Sequence, residues 1–228
     1  VSELVGKLDA LGSITQNLHL RRSNRIRTIH SSLAIENNTM TLAQVTDIIA
    51  GKRVLGPPDE IREVRNAYEE YQQLLRLGHY AVADLLRVHR ILMAGLMTEA
   101  SVFCSGGVGV FAGDSIVHMA TQTRFVTNQI ADLLAWCKTT DVYPLIVSCV
   151  FHAEFELIHT FIDGNGCMGR IWQTLLLTSC NPLFAWLTIE SHRTTPWTIY
   201  YAELCNAGKQ GDDTAFVEFI CSILFNPR

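Results

Sequence analysis

The sequence has no excess of positive charge, no paired-cysteine motif and no apolar stretch long enough to cross a membrane. Its formal net charge of -4 gives no reason to expect a nucleic acid as partner. Its seven cysteines are odd in number and never spaced as Cys-x-x-Cys, which argues against a disulfide framework and a zinc site. The apolar run YPLIVSCVF has about half the length of a membrane span, and the charged beginning is unlike a signal peptide. We therefore expect a soluble cytoplasmic protein that binds neither membrane nor nucleic acid.

Nothing in the sequence divides the chain into smaller units. Low-complexity tracts, internal repeats and linker-like stretches are absent from its 228 residues. Hydrophobic residues make up 48% and charged residues 18%, a balance that favours a large buried core over disorder. A chain of this length suits one well-buried domain, which we expect to span residues 1–228.

Helical periodicity dominates what is present. The segment 41–51 opens with the capping-box pair Thr41 and Gln44 and closes on Gly51. The segment 57–78 starts with proline and acids, carries apolar residues at helical spacing and stops at a glycine. Further helices are predicted at 81–98, 125–139, 143–158, 168–179, 195–208 and 213–225.

One segment, 105–120, departs from this helical pattern. Its sequence SGGVGVFAGDSIVHMA places a Gly-Asp pair at 113–114 between short runs of β-branched and aromatic residues. That arrangement is typical of a β-hairpin. The fold class that we predict is therefore mainly α, one helical domain with a small β-hairpin.

A second departure is the stretch HTFIDGNGCMGR, residues 159–170, which interrupts two apolar helices with polar residues and glycines. The Gly-Asn-Gly at its centre lets the backbone adopt positive φ and approach a ligand closely. The N–H groups that open the following helix have no intrahelical acceptor, and the helix dipole favours negative charge there. A glycine-rich loop that leads into a helix N-terminus is typical of a phosphate site.

Three side chains in this loop suit phosphate chemistry. Arg170, in the first turn of the second helix, offers a forked donor to phosphate oxygens. Asp163 has the oxygen ligands that Mg²⁺ takes when it bridges phosphates, and His159 can take a proton from an attacking hydroxyl. Each residue alone is more often structural, as a helix-end hydrogen bonder or as part of a tight turn. Their combination at this spacing favours phosphate handling.

These residues resemble the loop of the Fic (fido) domain proteins, His-Pro-Phe-x-Asp/Glu-Gly-Asn-Gly-Arg-x-x-Arg. The positions in register are His159, Phe161, Asp163, Gly164, Asn165, Gly166 and Arg170. The resemblance extends over most of the chain and implies an α-helical fold. It also implies the family's usual reaction, which moves AMP from Mg·ATP onto a hydroxyl side chain of a target protein. The hairpin at 105–120 resembles the family's flap, which aligns the target segment by strand addition.

The resemblance implies a role for each position. His159 would be the base, and Asp163 would be the ligand of Mg²⁺. The residues that would bind ATP are Gly164, Asn165, Gly166, Gly169 and Arg170, the first three of them as an anion hole. The implied partner is a target protein, which can be the chain itself, and a homo-oligomer is a further alternative.

The stretch SLAIEN, residues 32–37, resembles the inhibitory helix motif of the same family, Ser/Thr-x-x-x-Glu-Gly/Asn. It lies in a segment of about 24–38 that we expect to be helical. The motif residues are Ser32, Glu36 and Asn37. The first two are four apart and so share one helix face. A carboxylate and a γ-phosphate compete for one guanidinium, so a Glu36–Arg170 pair would keep ATP from seating productively.

Two loop positions depart from the family pattern. Thr160 stands where proline is usual, so the turn after His159 loses a fixed φ. Cys167 stands where the first arginine is usual. Losing a phosphate-facing guanidinium worth about 1.5–3 kcal/mol would slow transfer roughly 10- to 150-fold. Around the flap, arginine or proline would be expected at the positions of Cys104, Thr121 and Thr127.

These departures leave alternatives open. The chain could be a non-catalytic Fic scaffold that binds a nucleotide or a protein without turnover. Cys167 could instead be a nucleophile at a helix N-terminus, although no base and orienting group accompany it. A metal hydrolase is disfavoured, since HAEFELIH places His152, Glu156 and His159 on one helix face but is not His-Glu-x-x-His. The four arginines of RRSNRIR, residues 21–27, are interpreted as a solvated or ion-paired helix face.

Overall fold

The computed structural model describes residues 18–98, 100–103, 109–112, 115–119, 122–186 and 197–225. Its helices are α1 (Leu18–Ile35), α2 (Leu42–Ile49), α3 (Pro58–Gln73), α4 (Val82–Leu92), α5 (Thr123–Thr139), α6 (Pro144–Ile158), α7 (Asn165–Cys180), α8 (Trp197–Gln210) and α9 (Thr214–Phe225). Two 3₁₀ turns, Leu74–Arg76 and Pro182–Trp186, follow α3 and α7. Strands β1 (Gly109–Ala112) and β2 (Ser115–Met119) pair antiparallel. The predicted mainly α fold is confirmed.

Local sequence signals set several helix ends as predicted. The capping box of α2 is present: Thr41 Oγ1 accepts the N–H of Gln44 at 3.3 Å, and Gln44 Oε1 accepts the N–H of Thr41 at 3.0 Å. Gly51, with a φ of 76°, follows this helix. Helix α3 begins at a proline, whose missing N–H would have no intrahelical acceptor in the first turn.

Two predicted boundaries are wrong. The helix predicted at 81–98 ends at Leu92, because Gly95 has a φ of 72° that an α-helix does not accommodate. The helix predicted at 168–179 begins already at Asn165. Gly166 therefore lies inside its first turn. Of the two glycines in Gly-Asn-Gly, Gly164 is the one in left-handed backbone, with a φ of 79°. The loop before α7 is shorter than the sequence indicated.

The segment expected to be helical at about 24–38 is the last part of α1, which starts at Leu18 and ends at Ile35. Glu36 follows in a turn, and Asn37 has a φ of 67°. The helix thus stops just before the acid of the predicted inhibitory motif. Its carboxylate extends from the end of α1.

The hairpin strands are short, with Phe111 opposite Ile116 and a register shift between Val110 and Phe111. The Gly-Asp turn at 113–114 lies outside the described residues, together with several other residues of the predicted segment 105–120. The role of this hairpin as a flap stays a prediction.

The core is built around α6 and α7, which pack against each other along their lengths. Among the largest fully buried side chains are Phe151 and Phe155 of α6 and Trp172 of α7. The indole N–H of Trp172 donates to His79 O at 3.0 Å. A second buried cluster attaches α8 and α9 to α6. The loop that joins α6 and α7 is therefore anchored in the core at both ends. Within the described ranges, none of the helices combines the length and apolar character needed to span a membrane.

The arginines of RRSNRIR divide between two environments. The guanidinium of Arg25 is buried over the rings of Tyr71 and Trp186, and it donates a hydrogen bond to Tyr71 O. Arg21 lies 5.0 Å from the Trp186 ring centroid, whereas the other two arginines are exposed. The expected solvated or ion-paired face is thus wrong for Arg25, because its guanidinium is buried and stacks on aromatic rings.

Glu70 is a carboxyl group enclosed by the core. It lies on the buried face of α3 with 0% exposure, and neither carboxyl oxygen has a hydrogen-bond partner among the described residues. Burial raises the pKa of Glu70 to about 8, and the charge of Arg25 offsets part of this rise. Glu70 is therefore mostly protonated in the folded protein at neutral pH and ionised in the unfolded chain.

We expect the substitution Glu70→Gln to stabilise the protein at neutral pH and to have little effect in acid. The pKa of Glu70 in the folded protein lies above the unfolded value of 4.5. Its contribution to the free energy of unfolding is therefore fully present below pH 4.5 and is lost as the pH rises through about 8. The substitution should recover roughly 3 kcal/mol of unfolding free energy at pH 7. Urea unfolding at pH 4.5 and pH 7 measures the difference.

The matched control is Glu69→Gln, since Glu69 is the exposed neighbour of Glu70 on the same helix. It should leave the unfolding free energy unchanged at both pH values. An equal effect of Glu70→Gln at the two pH values would contradict the assignment of a buried, protonated acid.

Candidate active site

The loop begins where α6 ends. His159 caps α6 in left-handed backbone, with a φ of 54°, and its N–H donates to Phe155 O at 3.2 Å. This conformation costs a non-glycine residue about 1–3 kcal/mol and persists only where the surroundings hold it. The side chain of His159 is half-buried beside the loop.

Asn165 closes the loop with its side chain. Its Oδ1 accepts the N–H of Phe161 at 2.8 Å, and its Nδ2 donates to Phe161 O at 2.7 Å. The amide of Asn165 is thus used twice within the loop and is buried there. The side chain of Asn165 holds the loop in shape, so only its backbone N–H could contribute to the predicted anion hole.

Phe161 is anchored by a histidine that the sequence analysis missed. The ring of His89, on α4, stacks on Phe161 with centroids 3.7 Å apart and planes 4° apart. Its Nε2 lies 3.1 Å from Asp163 O, and its Nδ1 accepts the N–H of Ser101 at 2.9 Å. In the sequence, His89 is a single histidine within the helical pattern of VHRILM. That pattern is typical of a core residue and carries no functional signal.

Asp163 is exposed, and its Oδ1 accepts the N–H of Gly164 at 2.7 Å. A side chain at Gly164 would clash with Met93, in addition to the strain of its positive φ. In the part of the chain that the structure describes, no group of three or more histidine, cysteine or acidic residues could hold a metal ion. A cation at Asp163 would therefore also need oxygens from a bound ligand.

Arg170 belongs to α7, and its side chain, with 5% exposure, extends to the end of α1. Its Nε donates to Ser32 Oγ at 2.9 Å, and its Nη2 donates to Ser32 O at 3.2 Å and to Glu36 Oε1 at 2.7 Å. The predicted contact between Glu36 and Arg170, 134 positions apart, is thus present. Burial alone would lower the pKa of Arg170, but the charge of Glu36 raises it well above its usual value. The guanidinium is therefore charged and held by α1.

The carboxylate of Glu36 lies over the N-terminal turn of α7. A Cβ at Gly166 would clash with Glu36 Oε1, so the acid can approach only because residue 166 has no side chain. The first N–H groups of α7 have no intrahelical acceptor, and the helix dipole favours an anion at this end. An acidic side chain of the same chain therefore lies where the sequence predicts an anion to bind.

The side chain of Cys167 faces the interior of the protein. Its Sγ accepts a hydrogen bond from Arg170 Nη2 at 3.5 Å, and the side chain is buried. Burial raises the pKa of the Cys167 thiol to about 12, and the positive charge of Arg170 offsets part of the rise. The thiol is neutral at physiological pH, so the nucleophile alternative loses the stabilised thiolate on which it depends.

The other departures from the family pattern lie in different surroundings. Thr160 is fully buried, and its Oγ1 has no hydrogen-bond partner among the described residues. A buried hydroxyl without a partner destabilises the folded state, which adds to the loss of the fixed φ of a proline. Thr127 is exposed on α5, and Cys104 and Thr121 lie outside the described residues.

Gly169 lies on the face of α7 that packs on α6. A Cβ at Gly169 would come within 3.0 Å of Glu156 Oε1 and 3.4 Å of His152 Cδ2. The glycine thus permits close packing of the two helices. This placement lends no support to the nucleotide-binding role predicted for Gly169.

The three residues weighed as a metal-hydrolase motif separate into two environments. His152 Nδ1 donates to Gln173 Oε1 at 2.6 Å, since an amide oxygen only accepts, and its Nε2 lies 2.6 Å from Tyr200 Oη. Burial lowers the pKa of His152 to about 4 and raises that of Glu156 to about 7. These two residues belong to a buried polar network behind the loop, whereas His159 borders the loop itself.

Comparison with known proteins identifies the class to which this fold and loop belong. A profile of the Fic/DOC family matches residues 79–177, a range that contains His89 and the whole loop. The crystal structure of a Fic family protein from Desulfovibrio desulfuricans G20 is 49% identical in sequence. It has a TM-score of 0.92 to this structure, covering 98% of this chain and 69% of that one. The chain belongs to the Fic/DOC family.

Curated relatives are more distant. The protein named "Protein adenylyltransferase Fic" is 26% identical in Drosophila erecta and 25% identical in Drosophila mojavensis, in both cases over 96% of this chain. The chain spans only 45% and 44% of the lengths of these two relatives. Fic-1 (aa134 - 508) from C. elegans shares the fold, with 21% identity and a TM-score of 0.70 over 98% of this chain and 73% of that one.

We expect Cys167 to resist alkylation in the native protein. A buried thiol with a pKa of about 12 forms almost no thiolate at pH 7.5, so iodoacetamide should modify it at least about a hundredfold more slowly than the half-exposed Cys205. Mass spectrometry of peptides from timed reactions measures both rates. Rates of similar size would restore the nucleophile alternative, and unfolding in urea before alkylation should remove the difference.

Proposed function

We propose that this protein moves AMP from ATP, in the presence of Mg²⁺, onto a hydroxyl side chain of a target protein. The observation that carries the proposal is the 2.7 Å contact between Glu36 and Arg170 beside the N-terminus of α7. Glu36 reaches the buried Arg170 from the turn that follows α1, and it lies at a helix end that favours anions. We infer that a bound phosphate would compete with this carboxylate for the same site. The relatives named protein adenylyltransferase support the same reaction class.

Each residue of the loop has a task in this proposal. Nδ1 of His159 is buried, which leaves Nε2 to take the proton of the incoming hydroxyl. The hydroxyl oxygen bonds to the α-phosphorus, the bond from phosphorus to the bridging oxygen breaks, and pyrophosphate leaves. Phosphate oxygens are held by the N–H groups of Asn165 and Gly166 and by the guanidinium of Arg170. The N–H of Gly164, which donates to Asp163 Oδ1 in this structure, joins them when that carboxylate turns away.

Asp163 is the residue that would hold Mg²⁺. Its carboxylate is exposed and belongs to the same loop as the phosphate donors. Mg²⁺ usually takes one or two carboxylates together with substrate phosphates rather than an all-protein cage, which agrees with a single acid here. The ion would neutralise the charge that develops on the phosphate oxygens.

Glu36 restrains the reaction in this proposal. While Glu36 accepts from Arg170, the guanidinium is engaged, and a negative charge lies where phosphate oxygens would bind. Ser32 holds the Nε side of the same guanidinium without competing for the site, because its hydroxyl is neutral. The side chain of Glu36 is 37% exposed, so it can move away without opening the core. ATP then binds productively only to the fraction of molecules in which Glu36 has moved.

A second candidate is a Fic scaffold that binds a nucleotide or a protein without turnover. The observation that favours it is Cys167, whose Sγ lies 3.5 Å from Arg170 Nη2 at the position where the family carries another arginine. With one guanidinium instead of two, the site has less positive charge for the transition state. Nucleotide binding without any labelled product in the experiments below would favour this candidate.

We expect Glu36→Gly to raise the affinity for Mg·ATP by at least about tenfold, because removing a competing charge-assisted contact is worth 1.4 kcal/mol or more. Calorimetric titration measures the affinity. Incubation with Mg²⁺, ATP labelled at the α-phosphate and a cell extract should then give labelled protein bands. The target, including the chain itself, is identified from those bands.

Two controls accompany this experiment. Glu36→Gln removes the charge and keeps the shape, so it should raise the affinity less than Glu36→Gly does. Adding His159→Ala to Glu36→Gly should abolish transfer and leave the affinity for Mg·ATP nearly unchanged, since a base acts on the hydroxyl and not on the phosphates. Equal affinities of wild type and Glu36→Gly would contradict the restraint.

We expect Cys167→Arg, combined with Glu36→Gly, to raise the rate of transfer by at least about tenfold if the missing guanidinium limits the transition state. The rate of label incorporation into the protein identified above is the measurement, with Cys205→Arg on α8 as the control for added charge. If the double variant folds, binds Mg·ATP and still labels no protein, itself included, the enzyme proposal fails and the scaffold stands.

A further inference from the structure

His89 lies buried behind the loop, and no step of the proposed reaction uses it. With 1% exposure, it contacts two separate segments, the loop and the residues around Ser101. Its ring stacks on Phe161, its Nε2 lies 3.1 Å from Asp163 O, and its Nδ1 lies 2.9 Å from the N–H nitrogen of Ser101. One side chain of α4 thus joins the loop to the segment 100–103, which precedes the hairpin.

The hydrogen-bond partners of His89 determine where its proton lies. The backbone N–H of Ser101 is a donor, so Nδ1 must be an unprotonated acceptor. The carbonyl of Asp163 only accepts, so Nε2 must carry the proton. In a doubly protonated ring, the Nδ1–H would point at the N–H of Ser101, and two donors would face each other without an acceptor.

The contact with Asp163 fixes a peptide plane of the loop. The carbonyl of Asp163 and the N–H of Gly164 belong to one planar peptide unit, so holding the carbonyl orients the N–H. That N–H donates to Asp163 Oδ1 at 2.7 Å. His89 therefore sets the direction of the N–H, and through it the orientation of the carboxylate.

The backbone around His89 is held in conformations that need support. In the ranges that the structure describes, the non-glycine residues with positive φ are Asn37, Ser101 and His159. Of these, Ser101 contacts His89, His159 begins the loop, and Asn37 follows Glu36, which contacts Arg170. Ser101 is bound at its N–H by His89 and at its Oγ by Arg90 Nε, at 2.9 Å in each case. Strained backbone of this kind persists where neighbouring groups hold it, and it concentrates at functional sites.

We propose that His89 is a positioning residue of the site, which as the neutral Nε2–H form orients the Asp163–Gly164 peptide and couples the loop to the segment 100–103. Its effect on nucleotide binding rests on the proposed function, because Asp163 and Gly164 act there on Mg²⁺ and phosphate. The proton position rests on the geometry alone. The two parts are tested separately.

The first test uses the unmodified protein. Nitrogen-15 NMR of the imidazole groups at pH 7.5 should show His89 with a protonated Nε2 and an unprotonated Nδ1. The signal is assigned by its loss in His89→Gln, and His79→Gln serves as the control for the assignment. A proton on Nδ1, or on both nitrogens, would overturn the proposal whether or not the protein transfers AMP.

The second test measures the dissociation constant for Mg·ATP in the Glu36→Gly background. His89→Phe keeps the ring stack and loses both hydrogen bonds, and it should weaken binding about tenfold, which corresponds to about 1.4 kcal/mol. His89→Gln places a donor near the position of Nε2 and should stay within about threefold of the background. His79→Phe alters a histidine that bonds Thr178 instead, and it should change nothing.

The outcomes separate the two proposals. Equal binding by His89→Phe and the background, or equal weakening by His89→Phe and His89→Gln, would overturn the positioning role. If His89→Phe does not fold, His89→Asn replaces it, because it keeps an acceptor near Nδ1 and loses the Nε2 donor. If the Glu36→Gly background itself binds no Mg·ATP, the proposed function fails. The proton position measured in the unmodified protein then determines whether the proposal for His89 stands.

Discussion

The charge of Arg170 is the constraint to which much of the structure around the loop responds. A guanidinium with 5% exposure loses its hydration and must be met by acceptors from the protein. Those acceptors are Ser32 and Glu36, at the end of α1. The end of α1 is therefore held against the start of α7, and Gly166 has to lack a side chain so that the carboxylate can come close. A single buried charge thus joins the two segments that the proposed regulation needs together.

Several side-chain contacts hold the shape of the loop. The side chain of Asn165 and the ring of His89 hold Phe161, and His89 also holds the carbonyl of Asp163. These contacts lie inside the protein, so the polar atoms that make them have little capacity left to bind a ligand. The carboxylate of Asp163 is exposed and the ring of His159 is half-buried, and in the proposed function these two side chains meet the ligand. In the proposed function, this support would hold the groups that act on ATP in place and lower the entropic cost of binding.

Buried acids give this fold a dependence on pH that its net charge does not reveal. Glu70 lies in the core beneath α1, and Glu156 lies behind the loop near Arg170, and burial raises the pKa of both. Both groups favour the folded state more strongly in acid than in base. Glu156 also belongs to the polar network of His152 and Gln173, so the packing of α6 on α7 includes ionisable groups as well as apolar ones.

Several features could be predicted from the sequence because they depend on neighbouring residues. The capping box of Thr41 and Gln44 and the glycine-rich interruption at 159–170 are local patterns, and the mainly α fold follows from helical periodicity. The boundary at residues 81–98 could not be predicted, because the apolar pattern continues past Gly95 while the backbone turns. Likewise, the start of α7 at Asn165 depends on the two hydrogen bonds between the Asn165 side chain and the backbone of Phe161.

The candidate site shows the same division. The spacing of His159, Asp163 and Arg170 identified the loop, since the family pattern is written in consecutive positions. Long-range contacts could be foreseen only where the family resemblance supplied them, as for Glu36 and Arg170. Residues with no such pattern, above all His89, became visible only when the chain was folded. A lone histidine on an apolar helix face has the same sequence signature whether it fills the core or holds a catalytic loop, and only its neighbours in three dimensions distinguish the two.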